Sequence, residues 1–332
     1  MGTDNRRSGS EYRPVPPLPG MERVLAPAIA GVGCSNGPDR VPPTPRSGRP
    51  GDVPGCDDGA VDIITAVANV VRGRGLEVGV PVSLRSTNNL VAWMRPSLVV
   101  AKIARDLDAS TRELQLATFL AAVGAPVVPP IEIGIVQPVE VAGHRVTFWP
   151  YVAEGRAATA TQVAASLDRL HDGLATVPDH ATFPPSWGRL ESAVDVLDGL
   201  DDLGLPGGPA GDDRALLRRA LLDGIAALTS RSEPPHVLHG SPHRLNILVM
   251  DGGAVFIDFE TVELGPFEWD LAHLEGEVAR LYPADVDEDL LRTCRISISA
   301  ATSTWCWEGV DRGPDMRSHA ERHLEIVRRS LA

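Results

Sequence analysis

Apolar residues recur at two spacings along this chain, which divide it into a strand-rich stretch followed by a helix-rich one. Short apolar runs between turn residues occupy Leu98 to Ala104 (LVVAKIA), Val127 to Ile135 and Val139 to Tyr151, and they predict strands of a small antiparallel sheet, with Gly143-His144 as a turn. Thr111 to Val123 predicts a helix. Ser110 and Glu113 match the S-x-x-E capping box at its start. Further on, Val163, Leu167, Leu170 and Leu174 share one face of a predicted helix over Thr161 to Ala175. Additional helices are predicted at Leu190 to Leu200, Asp212 to Leu228, Leu271 to Leu281, Val286 to Ala300 and Met316 to Leu331, so the later part of the chain is largely helical.

Composition narrows the picture. Residues 1 to about 59 are rich in Pro, Gly, Ser and Arg and cannot sustain either periodicity, so they read as a disordered tail. A formal net charge of -13 argues against a general nucleic-acid binder, which would show a basic patch. Cys34, Cys56, Cys294 and Cys306 form neither a CxxC pair nor a dense framework, which fits a reduced cytoplasmic protein. There is no apolar run of about 18 residues, so membrane insertion is not expected.

Two places carry candidate chemistry. In LVVAKIA a single Lys102 interrupts an apolar strand, and a charge there requires a partner; Glu113 on the following helix is one candidate. The second place is LHGSPHRLNILVMDGGAVFIDFETVELGPFEWDLAHL, Leu238 to Leu274. Leu245 to Val249 and Ala254 to Ile257 predict a hairpin around the turn Asp251-Gly252-Gly253, which brings Asn246 and Asp258 to one open end as hard oxygen ligands. Taken singly, such residues are ordinary turn and capping groups. His236, His239 and His243 also cluster as a zinc ion would require, although neither a cysteine pair nor an HExxH helix accompanies them.

The spacing of His239, Asn246, Asp258, Glu260 and Asp270 resembles the aminoglycoside phosphotransferase and choline kinase superfamily, whose pattern is H-G-D-x-x-x-x-N, then I-D-x-E, then D-L-A. This chain departs from it by placing Ser241 where that family has its catalytic aspartate. The resemblance implies an α+β, bilobal protein-kinase-like fold with a small antiparallel-sheet lobe over residues 60–152 and a helical catalytic and acceptor-binding lobe over 153–332.

It further implies ATP and Mg²⁺ as cofactors. Asn246, Asp258 and Glu260 would hold the metal, and Lys102 with Glu113 would meet the phosphates. Asn88 and Asn89 would lie in the nucleotide-covering turn, with Trp149 and Tyr151 in the hinge Phe148 to Val152. His239 would hold the loop that carries Ser241, and Asp270 would brace that loop. His243, two residues beyond Ser241, is the nearest base by sequence. The implied reaction is O-phosphorylation of a small hydroxylated molecule. The alternative is a pseudokinase that binds nucleotide or a small ligand without transfer. The acidic run Asp195, Asp198, Asp201, Asp202, Asp212 and Asp213 could attract a cationic acceptor or could be a solvated insertion. Trp269, Trp305 and Trp307 are either pocket walls or core.

Overall fold

Burial of one apolar face per element assembles hydrophobic cores, among them a helical cluster around Leu190 and a sheet cluster around Val67, in the computed structural model. It describes residues 58–332 except 87–88, 105–106, 154–156, 179–181, 201–207, 210, 251–252 and 310–313. The chain divides into one unit formed by residues up to Gln115 with Pro130–Trp149, and a second formed by Leu116–Pro129 with Pro150–Ala332.

The first unit opens on helix α1, Asp58–Arg72, a helix missing from the sequence reading although Ile63, Val67 and Val71 recur at helical spacing and are buried. Strands β1 (Val82–Ser86), β2 (Leu90–Trp93), β3 (Val99–Ala104), β4 (Val139–Val141) and β5 (His144–Pro150) form a sheet in the order β1-β2-β3-β5-β4. β2 pairs antiparallel with β3 so that Val91 faces Lys102. β4 and β5 join through Ala142 and Gly143, both at positive φ (48° and 78°), a two-residue turn whose twist matches that of the strands.

Residues 127–135 correct the sequence reading, since they form no regular strand. Pro126, Pro129 and Pro130 supply no amide hydrogens for a ladder. Gln137 does that work with its side chain, donating to the Ile131 carbonyl (2.7 Å) and accepting from the Phe148 amide (2.6 Å).

Helix α2, Leu107–Ala122, begins three residues ahead of Ser110. Ser110 therefore lies inside the helix and is not its cap, which removes the capping-box reading of Glu113.

In the second unit, α3 (Ala160–Ala175) starts with a reciprocal capping box between Thr159 and Gln162. α4 (Ser186–Gly199), α5 (Gly211–Thr229), α8 (Glu288–Glu308) and α9 (Pro314–Leu331) bury Leu190, Leu217, Leu221, Leu290, Ala300 and Leu324 in a common core. The predicted single helix Leu271 to Leu281 is two short ones, α6 (Phe267–Ala272) and α7 (Gly276–Leu281), because the chain turns at His273–Glu275 and restarts. Strands β6 (His236–Leu238) and β9 (Glu263–Gly265) pair, and β7 (Ile247–Met250) and β8 (Gly253–Phe256) form the expected hairpin, whose Asp251-Gly252 turn lies outside the described residues. Among the described residues, no helix is long and apolar enough to cross a membrane.

Gly224 shows how tightly α5 meets α8: an added Cβ would lie 2.2 Å from Ser297 Oγ and 2.7 Å from its Cβ. In an open helix Gly→Ala gains about 1 kcal/mol, while overpacking a filled site costs about 1–3 kcal/mol. Gly224→Ala is therefore expected to lower unfolding free energy, read as an earlier urea midpoint. A midpoint unchanged or later would mean that the helices separate freely there.

Candidate active site

In the first unit, the sheet and α2 bring Lys102 and Glu113 together. Lys102 Nζ donates to both carboxylate oxygens of Glu113 at 2.9 and 2.8 Å, and the residues are 8% and 1% exposed. A buried ammonium without such a partner would be costly, and taking away either member would leave an uncompensated charge. Trp149 lies on β5, with its indole nitrogen donating to Thr147 Oγ1 at 2.9 Å. Asn89 is described in the bend before β2, whereas Asn88 lies outside the described residues.

In the second unit, the loop between β6 and β7 is built around a buried carboxylate. Asp270, fully enclosed on α6, accepts from the His239 amide (2.9 Å), the Gly240 amide (2.8 Å) and His171 Nε2 (2.8 Å). Burial would raise its pKa, but the His171 hydrogen bond and the nearby histidines outweigh this and hold it below the usual carboxylate value. His171 meets the Tyr282 hydroxyl through Nδ1 at 2.7 Å. One tautomer serves both contacts, with Nε2–H donating to Asp270 and Nδ1 accepting from Tyr282.

His239 is fully buried, its Nε2 lying 3.0 Å from the Ile257 carbonyl, and burial lowers its pKa. It fixes the loop rather than meeting a ligand. Gly240 is at φ +82°, and a Cβ there would sit 1.9 Å from the Thr261 carbonyl oxygen, so only glycine fits.

Ser241 follows. Its amide donates to His239 Nδ1 (3.4 Å), and its carbonyl accepts from the His243 amide (2.8 Å) and Asn246 Nδ2 (3.1 Å). His243 is half-buried and caps the short 3₁₀ turn Arg244–Asn246. With Nδ2 engaged, Asn246 turns Oδ1 into a buried position where it has no partner among the described residues.

The β7–β8 register sets Ile247 opposite Phe256, and the Ile257 amide donates to the Asn246 carbonyl (3.1 Å), which fixes Asn246 and Asp258 at one end of the hairpin. Asp258 adopts a left-handed conformation (φ 72°, ψ 67°), which costs a non-glycine residue roughly 1 kcal/mol. Asp258 and Glu260 each bring a carboxylate oxygen within 4.8 Å of the other. An orphaned buried amide oxygen with two adjacent carboxylates is a hard-oxygen donor set of the type Mg²⁺ takes. The zinc arrangement is not formed: His236 stacks on Phe267, His239 is committed to Ile257, and the three histidines make no metal-type grouping among the described residues. Tyr151, half-buried, follows β5 in the chain.

Three residues behind the loop escaped the sequence reading. Arg189 on α4 donates through Nη1 to the Gly240 carbonyl (2.7 Å) and to Glu263 Oε1 (3.3 Å). Its guanidinium lies over the Trp305 ring, 5.6 Å from the centroid. Glu263 on β9 also accepts from the Trp269 indole, and burial pushes its pKa up to about 8. Half-buried His273 is pushed down to about 3, first by desolvation and then by the charge of Arg189. Trp269 and Trp307 belong to the core, as their 2% and 4% exposures require. In the acidic run, Asp198 pairs with Arg218 and Asp213 with Arg328, while Asp201 and Asp202 lie outside the described residues.

Taken together, the five-stranded sheet unit, the helical unit and the loop-and-hairpin donor set define the class of kinase-like phosphotransferases. The chain belongs to the phosphotransferase enzyme family, whose model matches residues 87–299. Among solved structures, it is similar to a choline/ethanolamine kinase family protein from Mesorhizobium loti (17% identity, TM-score 0.59, covering 80% of this chain and 95% of that one). It is also similar to choline kinase LicA from Streptococcus pneumoniae (15%, 0.57, 81% and 99%) and to spectinomycin phosphotransferase in complex with ADP and spectinomycin (13%, 0.59, 80% and 98%). At these identities the structural likeness shows the fold alone. A search of curated proteins found no match.

Glu263 makes the site pH-sensitive. Between its ordinary value of 4.5 and about 8 the folded chain holds a proton that the unfolded chain has released, so its contribution to stability falls as pH rises through that window. His273 acts with the opposite sign between about 3 and 6.5. The urea midpoint is expected to decline from pH 6.5 to 8, and Glu263→Gln, which keeps the acceptor for Arg189 and Trp269, should flatten that decline. An identical decline in the variant would place its origin elsewhere.

Proposed function

We propose that the chain is an ATP-dependent O-phosphotransferase acting on a small hydroxylated acceptor. The observation that carries this reading is Asn246 Oδ1, a buried acceptor without a partner among the described residues, at the hairpin end that also leads into Asp258 and Glu260. Divalent metal held there would neutralise charge on the transferring phosphoryl group. Lys102, fixed by both oxygens of Glu113, supplies a positive charge for the α- and β-phosphates. The acceptor hydroxyl oxygen bonds to the γ-phosphorus as the bond from phosphorus to the β–γ bridging oxygen breaks, and ADP leaves with that electron pair.

The acceptor's proton needs a base. Ser241 is neutral near pH 7 and cannot take it unaided, so His243 or the substrate itself covers proton transfer. The second reading, a pseudokinase that binds nucleotide without transfer, is favoured by Ser241 itself.

Thermal stabilisation by ATP with and without Mg²⁺ tests the nucleotide site. A metal-dependent rise in Tm, lost in Asp258→Ala, is expected; no rise at millimolar ATP defeats the kinase reading. Turnover then separates the two readings. Slow transfer that Ser241→Asp accelerates by about 10² to 10⁴ supports the enzyme. Binding with no transfer in either form supports the pseudokinase.

A further inference from the structure

In the unit that carries Ser241, a guanidinium holds the backbone carbonyl of the residue just before it. We propose that Arg189 determines acceptor specificity and that the ligand of this subsite is an anionic alcohol, its carboxylate or phosphate ester received by the Arg189 guanidinium. This inference rests on the phosphotransferase reading for the word acceptor, but the binding it asserts does not require transfer.

Geometry leaves Arg189 both anchored and available. Nη1 is spent on the Gly240 carbonyl, next to Ser241, and on Glu263 Oε1, while Nε and Nη2 make no hydrogen bond among the described residues. The side chain is 27% exposed, and Trp305 supports its face, which pre-orders a fork suited to a planar oxyanion.

Its charge is not cancelled locally. Ser241 contributes none. Glu263 Oε2 is buried and has no partner, so an ionised carboxylate there would be poorly solvated, and the group retains its proton near neutrality. Asp270 is ionised but enclosed, and it is committed to three N–H donors. Two of the charges that could have drawn a cation are engaged elsewhere, Asp198 with Arg218 and Asp213 with Arg328.

The test uses the full chain, without nucleotide, in calorimetric titrations with four probes of similar size: glycerate, glycerol 3-phosphate, glycerol and choline. At least one of the two anions is expected to bind, and which one distinguishes carboxylate from phosphate recognition. Glycerol and choline are expected to bind more weakly. Arg189→Met should weaken anion binding about ten- to hundredfold, the worth of hydrogen bonds to a charged group. Arg189→Lys should recover part of it.

Because Arg189 also supports Gly240, ATP·Mg²⁺ stabilisation of each variant reports whether the loop survives. Ser241→Asp, which leaves Arg189 in place but sets a carboxylate beside it, should weaken the anion by a similar factor. Failure of both anions to bind, choline binding as well as either anion, or anion affinity in Arg189→Met and Ser241→Asp unchanged from that of the native chain each overturns the proposal. Anion binding without any ATP·Mg²⁺ stabilisation would remove the phosphotransferase reading and leave the anion site standing.

Discussion

Asp270 is the constraint on which the second unit depends. A carboxylate removed from water is stable only if its lone pairs are met, and here two loop amides and one imidazole meet them. The same contacts bind α6 to the β6–β7 loop and, through His171, to α3. Tyr282 extends the chain of bonds to the end of α7. Hydrogen bonds to a charged group are worth about 1.5–3 kcal/mol each, and removing one partner of a buried pair costs about 3–5 kcal/mol. This is large beside the 5–15 kcal/mol that typically separates folded from unfolded domains. The loop is therefore held by a group that never reaches solvent.

That anchor explains the glycine that follows it. With the His239 and Gly240 amides drawn to Asp270, the backbone passes so close to the Thr261 carbonyl that no side chain fits at 240. The left-handed Asp258 lies where the chain passes from β8 into the 3₁₀ turn Phe259–Thr261 across only two residues, Ile257 and Asp258. Strain there is tolerable because Asp adopts that conformation more readily than most residues. The loop and the hairpin end thereby form one rigid support for Asn246, Asp258 and Glu260.

How much of this could be read from sequence depended on whether a local pattern encoded it. Lys102 was legible because one charge in an apolar strand demands a partner, and the buried Glu113 supplies it. The competing capping box matched the right residues but lost because α2 starts earlier, at Leu107, which sets Ser110 inside the helix and leaves the buried Glu113 to Lys102. The hairpin of Asn246 and Asp258 was legible from its period and turn. The segment Val127 to Ile135 misled because its apolar composition suits a strand while its prolines cannot join a ladder. Arg189 was not legible: its partners lie 51 and 74 residues away, and a lone arginine on a helix has no periodic signature. Glu263 could have been found, because TVELG sets one carboxylate among apolar neighbours as LVVAKIA sets one lysine.

The serine at 241 can be understood from the same architecture. None of the hydrogen bonds that shape the loop there involve its side chain: the amide goes to His239, and the carbonyl receives His243 and Asn246. Exchanging a carboxylate for a hydroxyl at this position therefore leaves Asn246 oriented and the donor set intact. A positioned base contributes about 10² to 10⁴ to rate, against total accelerations of about 10⁶ or more, so positioning and charge neutralisation do not vanish with it. What does change is the local field. With serine at 241, the residue that follows the Gly240 carbonyl held by Arg189 is neutral, and the acidic contact of the guanidinium is the enclosed Glu263 carboxyl.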